Sequence, residues 1–184
     1  MRKSAMVFLC VALAGCAAYG EIHDAVVKET SPGLDSLEAK VLILAQEERS
    51  RAGLTPELVL NDQLCAAARE HSDDMAERDY FDHRSPDGSN ALARVLRYDP
   101  KFRGTLAENI ASRSNPAGVA EDEDALARHI VDAWLESPPH RATLLSPLFR
   151  LTGIGVAVKN GEIYVTQLFS APMPLPVSAS VIRD

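Results

Sequence analysis

The sequence predicts an α+β layered domain, and three observations carry that reading. Apolar residues recur at helical spacing in the segments opening at Asp35, Asn61 and Glu121, and a fourth, short helix is signalled at Ser137-Pro138. Two strand-like runs, Gly153 to Val158 and Glu162 to Phe169, flank Asn160-Gly161, the favoured two-residue hairpin turn. Strand signals are scarce elsewhere. A chain of 184 residues with 46% hydrophobic and 24% charged content suits one globular domain with short extensions, and a core of that size needs neither disulfides nor metal.

At the N-terminus, Arg2 and Lys3 precede an apolar run from Met6 to Ala14 that ends in Leu13-Ala14-Gly15-Cys16. A basic start, an apolar stretch and small residues describe a secretory signal. The Leu-Ala-Gly-Cys ending resembles the bacterial lipobox, whose cysteine becomes the lipid-bearing first residue of the mature protein. The expected division is therefore a lipoprotein signal peptide over 1–15 and a lipid anchor with a flexible tether over 16–33. A domain over 34–170 and a proline-containing tail over 171–184 complete it. The tether includes Ser31-Pro32-Gly33 and shows no sustained periodicity. Such a chain is exported and attached to a membrane through lipid without crossing it.

Asp35 and Glu38 have capping-box spacing, and Leu37, Val41, Leu44 and Ala45 continue the first helix until Gly53, a residue suited to its C-terminal end. Val41-Leu42-Ile43-Leu44 is apolar around most of the circumference, so this helix is expected to be covered on more than one side. Asn61 caps the second helix, which runs to about Asp79. At 100° per residue, Leu64, Ala68, His71 and Met75 share an arc of about 60°. His71 is thereby expected to be a satisfied core histidine, with a catalytic role as the alternative.

Residues 80–118 read as loop-rich, with Ser85-Pro86-Asp87-Gly88 a strong turn signal. Glu121-Asp122-Glu123-Asp124 is expected to be the solvated first turn of the helix holding Leu126, Ile130, Ala133 and Trp134, where negative charge complements the macrodipole. Ser137 then reads as an N-cap with Pro138 at the first helical position.

The net charge of −7, with no Lys/Arg cluster to offset it, argues against nucleic-acid binding. Beyond the N-terminus no stretch of about 20 apolar residues exists, which excludes a membrane-spanning helix there. With Cys10 in the signal and Cys16 carrying lipid, only Cys65 remains, and one thiol cannot form an internal disulfide. Its setting, Leu64-Cys65-Ala66-Ala67-Ala68, suits a small buried hydrophobe.

Four fragments in order are more specific than any one alone. They are Tyr80-Phe81-Asp82-His83-Arg84-Ser85-Pro86-Asp87-Gly88, then Ala107-Glu108-Asn109-Ile110-Ala111, then Trp134-Leu135-Glu136-Ser137-Pro138-Pro139-His140-Arg141-Ala142-Thr143-Leu144-Leu145, and finally Gly153-Ile154-Gly155-Val156 with Tyr164-Val165-Thr166-Gln167. Their order and spacing over about 36–170 resemble the CAP superfamily, or SCP domain (cysteine-rich secretory proteins, antigen 5 and pathogenesis-related 1 proteins), in its disulfide-free bacterial branch. The resemblance implies an α-β-α sandwich, with a small antiparallel sheet between helical layers.

Many eukaryotic members hold two histidines and two glutamates in a cleft that can bind a divalent metal. On this resemblance the first histidine falls on His83 and the glutamate of the Glu-Asn pair on Glu108. The second glutamate position is Ser137 and the second histidine position is Tyr164, so half of the tetrad is missing. The bacterial Ser-Pro-x-His-Arg-x-Asn run is represented by Ser137, Pro138, His140 and Arg141, with Thr143 at the asparagine position. A catalytic zinc needs three protein ligands, and His83 with Glu108 supplies two. No cofactor is expected; any metal would rest on His83 and Glu108, with His140 or Glu136 swinging in.

Without metal, a His–Glu pair can act as a general base with its orienting partner, or as a hydrogen-bonded latch beneath a cleft. Arg141 can grip a carboxylate or phosphate, close a salt bridge or cap the short helix, and Asn109 can satisfy backbone groups. The resulting expectation is a lipid-anchored protein of the bacterial cell envelope that binds a lipid, a peptide or cell-wall material, and no nucleic acid. Its cleft is formed by His83, Glu108, His140, Tyr164 and Ser137, supported by Asn109 and Arg141. A peptidase-like hydrolase using His83 and Glu108, and a structural or adhesive surface protein, are the alternatives.

Overall fold

The computed structural model describes residues 35–114 and 122–172. The segments expected to be signal, lipobox and tether, and the tail beyond residue 172, lie outside the described residues. Helix α1 (Ser36–Arg51) starts with both halves of the capping box: the Asp35 side chain accepts from the Glu38 N–H at 2.8 Å, and the Glu38 carboxylate accepts from the Asp35 N–H at 3.2 Å. It ends at Gly53, whose φ of +75° lets the Gly53 and Leu54 N–H groups return to the carbonyls of Ser50 and Arg49. After the two-residue strand β1 (Val59–Leu60), helix α2 (Asp62–Arg78) is capped by Asn61 and closes on Asp79 in the left-handed conformation.

The expectation of a loop-rich stretch over residues 80–118 is incorrect. Helix α3 (Ala91–Tyr98) and the eleven-residue strand β2 (Gly104–Ser114) both lie within it. β2 escapes a periodicity search because both of its faces are covered and two of its central inward positions are the polar Glu108 and Asn109. Helices α4 (Glu123–Glu136) and α5 (Pro138–Leu144) follow, then strands β3 (Leu151–Lys159) and β4 (Glu162–Pro172). The hairpin between the last two turns on Asn160 and Gly161, both at positive φ, as a type I′ turn requires. β4 runs beyond Phe169, and the expected boundary of the tail at residue 171 shifts accordingly, because Gly104 and Thr105 of β2 pair with Pro172 and Ala171.

The sheet order is β1-β3-β4-β2. It is antiparallel except for the short parallel pairing of β1 with β3. On one face Ala111, Ile154, Val165 and Phe169 pack with α1 and α4 residues such as Val41, Ile130 and Trp134. On the other, Ile110, Ala157, Tyr164 and Leu168 pack with Leu64, Ala68 and Met75 of α2. Helices thus cover both faces, and the sandwich is an α-β-α one. The first turn of α4 is tied down rather than simply solvated: the Lys40 ammonium of α1 lies 3.3 Å from Glu123 and 3.1 Å from Asp124.

α2 approaches β3 so closely that its backbone touches the strand. A Cβ on Gly153 would stand 2.2 Å from the Leu64 carbonyl carbon, and one on Gly155 would stand 2.1 Å from the Arg69 nitrogen. Cys65 sits in this contact and is buried, and burial pushes its thiol up from the usual range. Cys65 is therefore expected to react slowly with thiol reagents in the native protein and rapidly in denaturant; fast native labelling followed by mass spectrometry would contradict that packing.

Candidate functional site

Glu108, in the middle of edge strand β2, points to the α2 face and is 6% exposed at its side chain. Both of its oxygens are engaged. Oε1 lies 2.9 Å from His83 Nδ1, and Oε2 accepts from Arg94 Nη2 at 2.5 Å. The buried His71 places Nε2 3.9 Å from Oε1, too far for a hydrogen bond, and that nitrogen has no hydrogen-bond partner among the described residues. His71 is the core histidine expected, but it is partnered on one side only, its Nδ1 lying 3.4 Å from the Tyr80 hydroxyl. His71 stays neutral more readily than usual because burial outweighs the attraction of Glu108.

Arg94 organises the site. Its side chain is 1% exposed, on the inner stripe of α3 beside Val95, and it donates to the His83 carbonyl at 3.3 Å and to the Ser89 carbonyl at 3.5 Å as well as to Glu108. The loop that carries His83 is closed by the Ser85–Ser89 turn, with Ser85 N–H to the Ser89 carbonyl at 2.9 Å and Gly88 N–H to the Ser85 carbonyl at 2.8 Å. The Tyr80 hydroxyl, bonded to Asp74 and to Ser85, pins the start of that loop to α2. One guanidinium therefore fixes both the carboxylate and the backbone of the loop beside it.

These contacts set the charges. Burial pushes the Glu108 carboxyl up, but the hydrogen bond from His83 and the Arg94 charge outweigh it and leave the group below its usual range. The hydrogen bond to Glu108 raises His83, so its imidazolium persists to higher pH than that of a free histidine. His83 is half exposed, and its ring centroid lies 6.1 Å from that of His140. His140 is held in register from the opposite layer, because Asn109 Nδ2 donates to its carbonyl at 3.1 Å. Burial and the neighbouring His83 lower its pKa. Two adjacent imidazoles are thus driven apart in proton affinity.

Of the residues singled out from sequence, His83, Glu108 and His140 come together, with Asn109 in support. Tyr164 packs instead with Met75, Ile110 and Ala157, four positions along β4 from Leu168, the partner of Glu108. Ser137 occupies the N-cap position of α5, but its side chain makes no cap bond, and its carbonyl accepts from the Arg141 N–H. Arg141 neither caps that helix nor closes an ion pair among the described residues; its guanidinium donates to the Leu135 carbonyl of α4 at 3.4 Å. The His83–Glu108 hydrogen bond joins a half-exposed histidine on a loop to the strand β2.

The donor set does not fit a divalent metal. Among the described residues no three His, Cys, Asp or Glu side chains gather around one point, and the Arg94 cation already holds one Glu108 oxygen. Sequence reasoning missed Arg94 and the role of His71. The available signal was a lone arginine beside Val95 on the inner stripe of a short helix, which is costly unless a buried anion meets it.

The cysteine-rich secretory protein (CAP) family model matches residues 44–169. The uncharacterized protein YkwD of Bacillus subtilis is 33% identical over 134 residues, covering 73% of this chain and 47% of that protein. An extracellular SCP-domain protein of Bacillus anthracis, solved as a crystal structure, is 31% identical with a TM-score of 0.57, covering 73% of this chain and 40% of its own. An outer surface protein of Borrelia burgdorferi shares the fold, with a TM-score of 0.61 at 23% identity over 76% of this chain and 97% of its own. The chain spans about half the length of the curated relative it matches. With a family model over most of the chain and the α-β-α sandwich in place, the chain belongs to the CAP family.

Proposed function

We propose that this is an exported, lipid-anchored protein of the bacterial envelope whose CAP domain binds a partner there, a lipid, a peptide or cell-wall material, at the surface formed by His83 and His140. The observation that carries the reading is the full engagement of Glu108: with one oxygen on His83 and the other on Arg94, it is a fixed counter-ion that favours the charged form of the half-exposed His83. The ring's Nε2 then offers a charge-assisted donor to an acidic or carbonyl group on a partner. No metal takes part in this reading. Export is supported by the N-terminal signal pattern and by the extracellular relative from Bacillus anthracis.

The test is native mass spectrometry of the protein purified from envelopes, with sedimentation on purified cell wall and on phospholipid vesicles. Retention of wild type and loss in the His83→Ala/His140→Ala double variant supports the reading; equal sedimentation of both, with no bound partner in the mass spectrum, overturns it. Separately, Cys16→Ser is expected to release a folded protein from the membrane fraction, and retention of that variant would contradict the lipid anchor.

A hydrolase is the second reading, and the opposed shifts of the two imidazoles favour a particular form of it. His140 would be the general base and His83 the general acid, the reverse of what the His83–Glu108 pair alone suggests, because a proton held by Glu108 makes His83 a poor base at neutral pH. Peptidase activity lost in His140→Gln at unchanged melting temperature would establish it.

A further inference from the structure

A cavity of about 290 Å³ opens on the same sheet face at the other end of α2 and shares no residue with the histidine site. Its walls include Leu64, Val95, Phe102 and Leu151. At its edge stand Lys101 and Arg103, neither of which forms an ion pair among the described residues, although the chain as a whole carries a charge of −7. Arg103 spends one N–H on the Phe102 carbonyl. The first turn of α2, at Gln63 and Leu64, adds the positive end of a 17-residue helix.

Ser170, which is 1% exposed, also lines the cavity. The Ser170 Oγ and the Phe102 ring both lie within 3.4 Å of where a Gly104 Cβ would stand, so the hydroxyl and the aromatic wall meet at one end, where Arg103 leads into β2. The one carboxylate at this cavity, Asp99, accepts from the Lys101 N–H at 3.0 Å, which turns part of its charge to the backbone.

We propose that this cavity is a binding site for a small monocarboxylate with a compact apolar body, its head taken by Lys101, Arg103 and the Ser170 hydroxyl and its body by the apolar wall. The volume lies at the small end of ligand pockets. It suits a short-chain or aryl-substituted acid and excludes a long-chain lipid.

The experiment titrates the full chain with hexanoate and phenylacetate, following the Leu64, Val95 and Leu151 methyl resonances, with hexanamide and phenylacetamide as uncharged matches. Saturable shifts for at least one acid are expected, with roughly tenfold weaker binding of its amide and of the Lys101→Gln/Arg103→Gln variant, and weaker binding again in Ser170→Ala. His83→Ala is expected to bind as wild type does, which separates this site from the histidine one. No saturation by either acid, equal affinity for acid and amide, or undiminished binding by the folded double variant would each overturn the proposal.

Discussion

Replacing Glu108 by alanine is expected to lower stability by about 3–5 kcal/mol, the range for removing one partner of a buried ion pair. The cost comes from Arg94 rather than from His83. At 1% exposure the guanidinium has no water to turn to, and its remaining contacts are two long bonds to carbonyls. His83, half exposed, recovers hydration when its partner is lost, so His83→Ala is expected to cost under about 1 kcal/mol. Replacing both Glu108 and Arg94 by leucine and methionine should recover much of the loss, since no stranded charge remains. Urea melts of the three variants check this, and equal losses in Glu108→Ala and His83→Ala would refute the assignment of Arg94 as the dependent group.

The same network sets the acid response. Glu108 has a folded-state pKa below its unfolded value, so its contribution is present above the ordinary glutamate range and is lost as pH falls through the lower folded value. His71, also depressed, adds to this: below the ordinary histidine range the unfolded chain takes a proton that the buried, folded ring resists, and stability falls. His83 has the opposite sign, its contribution being present at low pH and lost as pH rises through its raised value, but half-exposure keeps it small. The sum is a protein destabilised by acid, first by His71 and then by Glu108.

The second large effect is expected at Gly155, where alanine should cost about 3 kcal/mol or more, at the upper end of overpacking. Its Cβ would stand 2.1 Å from the Arg69 nitrogen and 2.4 Å from the Ala68 carbonyl carbon, both backbone atoms, so no rotamer change relieves the clash. The α2 backbone must lift from β3, which also disturbs the Ser72 hydroxyl bonds to the Gly155 carbonyl and to Thr166, each 2.9 Å. A thermal melt of Gly155→Ala within a degree or two of wild type would contradict this close approach.

Much of the scaffold was legible because local chemistry and final structure agree. The Asp35–Glu38 capping box, the Asn61 cap and the Asn160-Gly161 turn are each determined by neighbours a few residues away. β2 and α3 were not legible for the opposite reason. Glu108 and Asn109 look like loop residues until a histidine loop and a buried arginine engage the carboxylate and the His140 carbonyl accepts from the Asn109 amide, from 14 to 31 residues away. His83 and Glu108 stood out through their motifs, whereas Arg94 could be found only by asking what neutralises Glu108. His71 sat on the predicted inward arc, but the arc does not reveal that its Nε2 faces a carboxylate already in use.

Glu108 acts as a fixed counter-ion that raises the proton affinity of His83, while that of the neighbouring His140 is lowered. A histidine-resolved NMR pH titration of wild type and Glu108→Gln tests this directly. The expected result is His83 titrating above its ordinary value of 6.5 and His140 below it, with the His83 shift collapsing in Glu108→Gln. A His83 that titrates at or below 6.5 in wild type, or that keeps a raised value in the glutamine variant, would contradict the account.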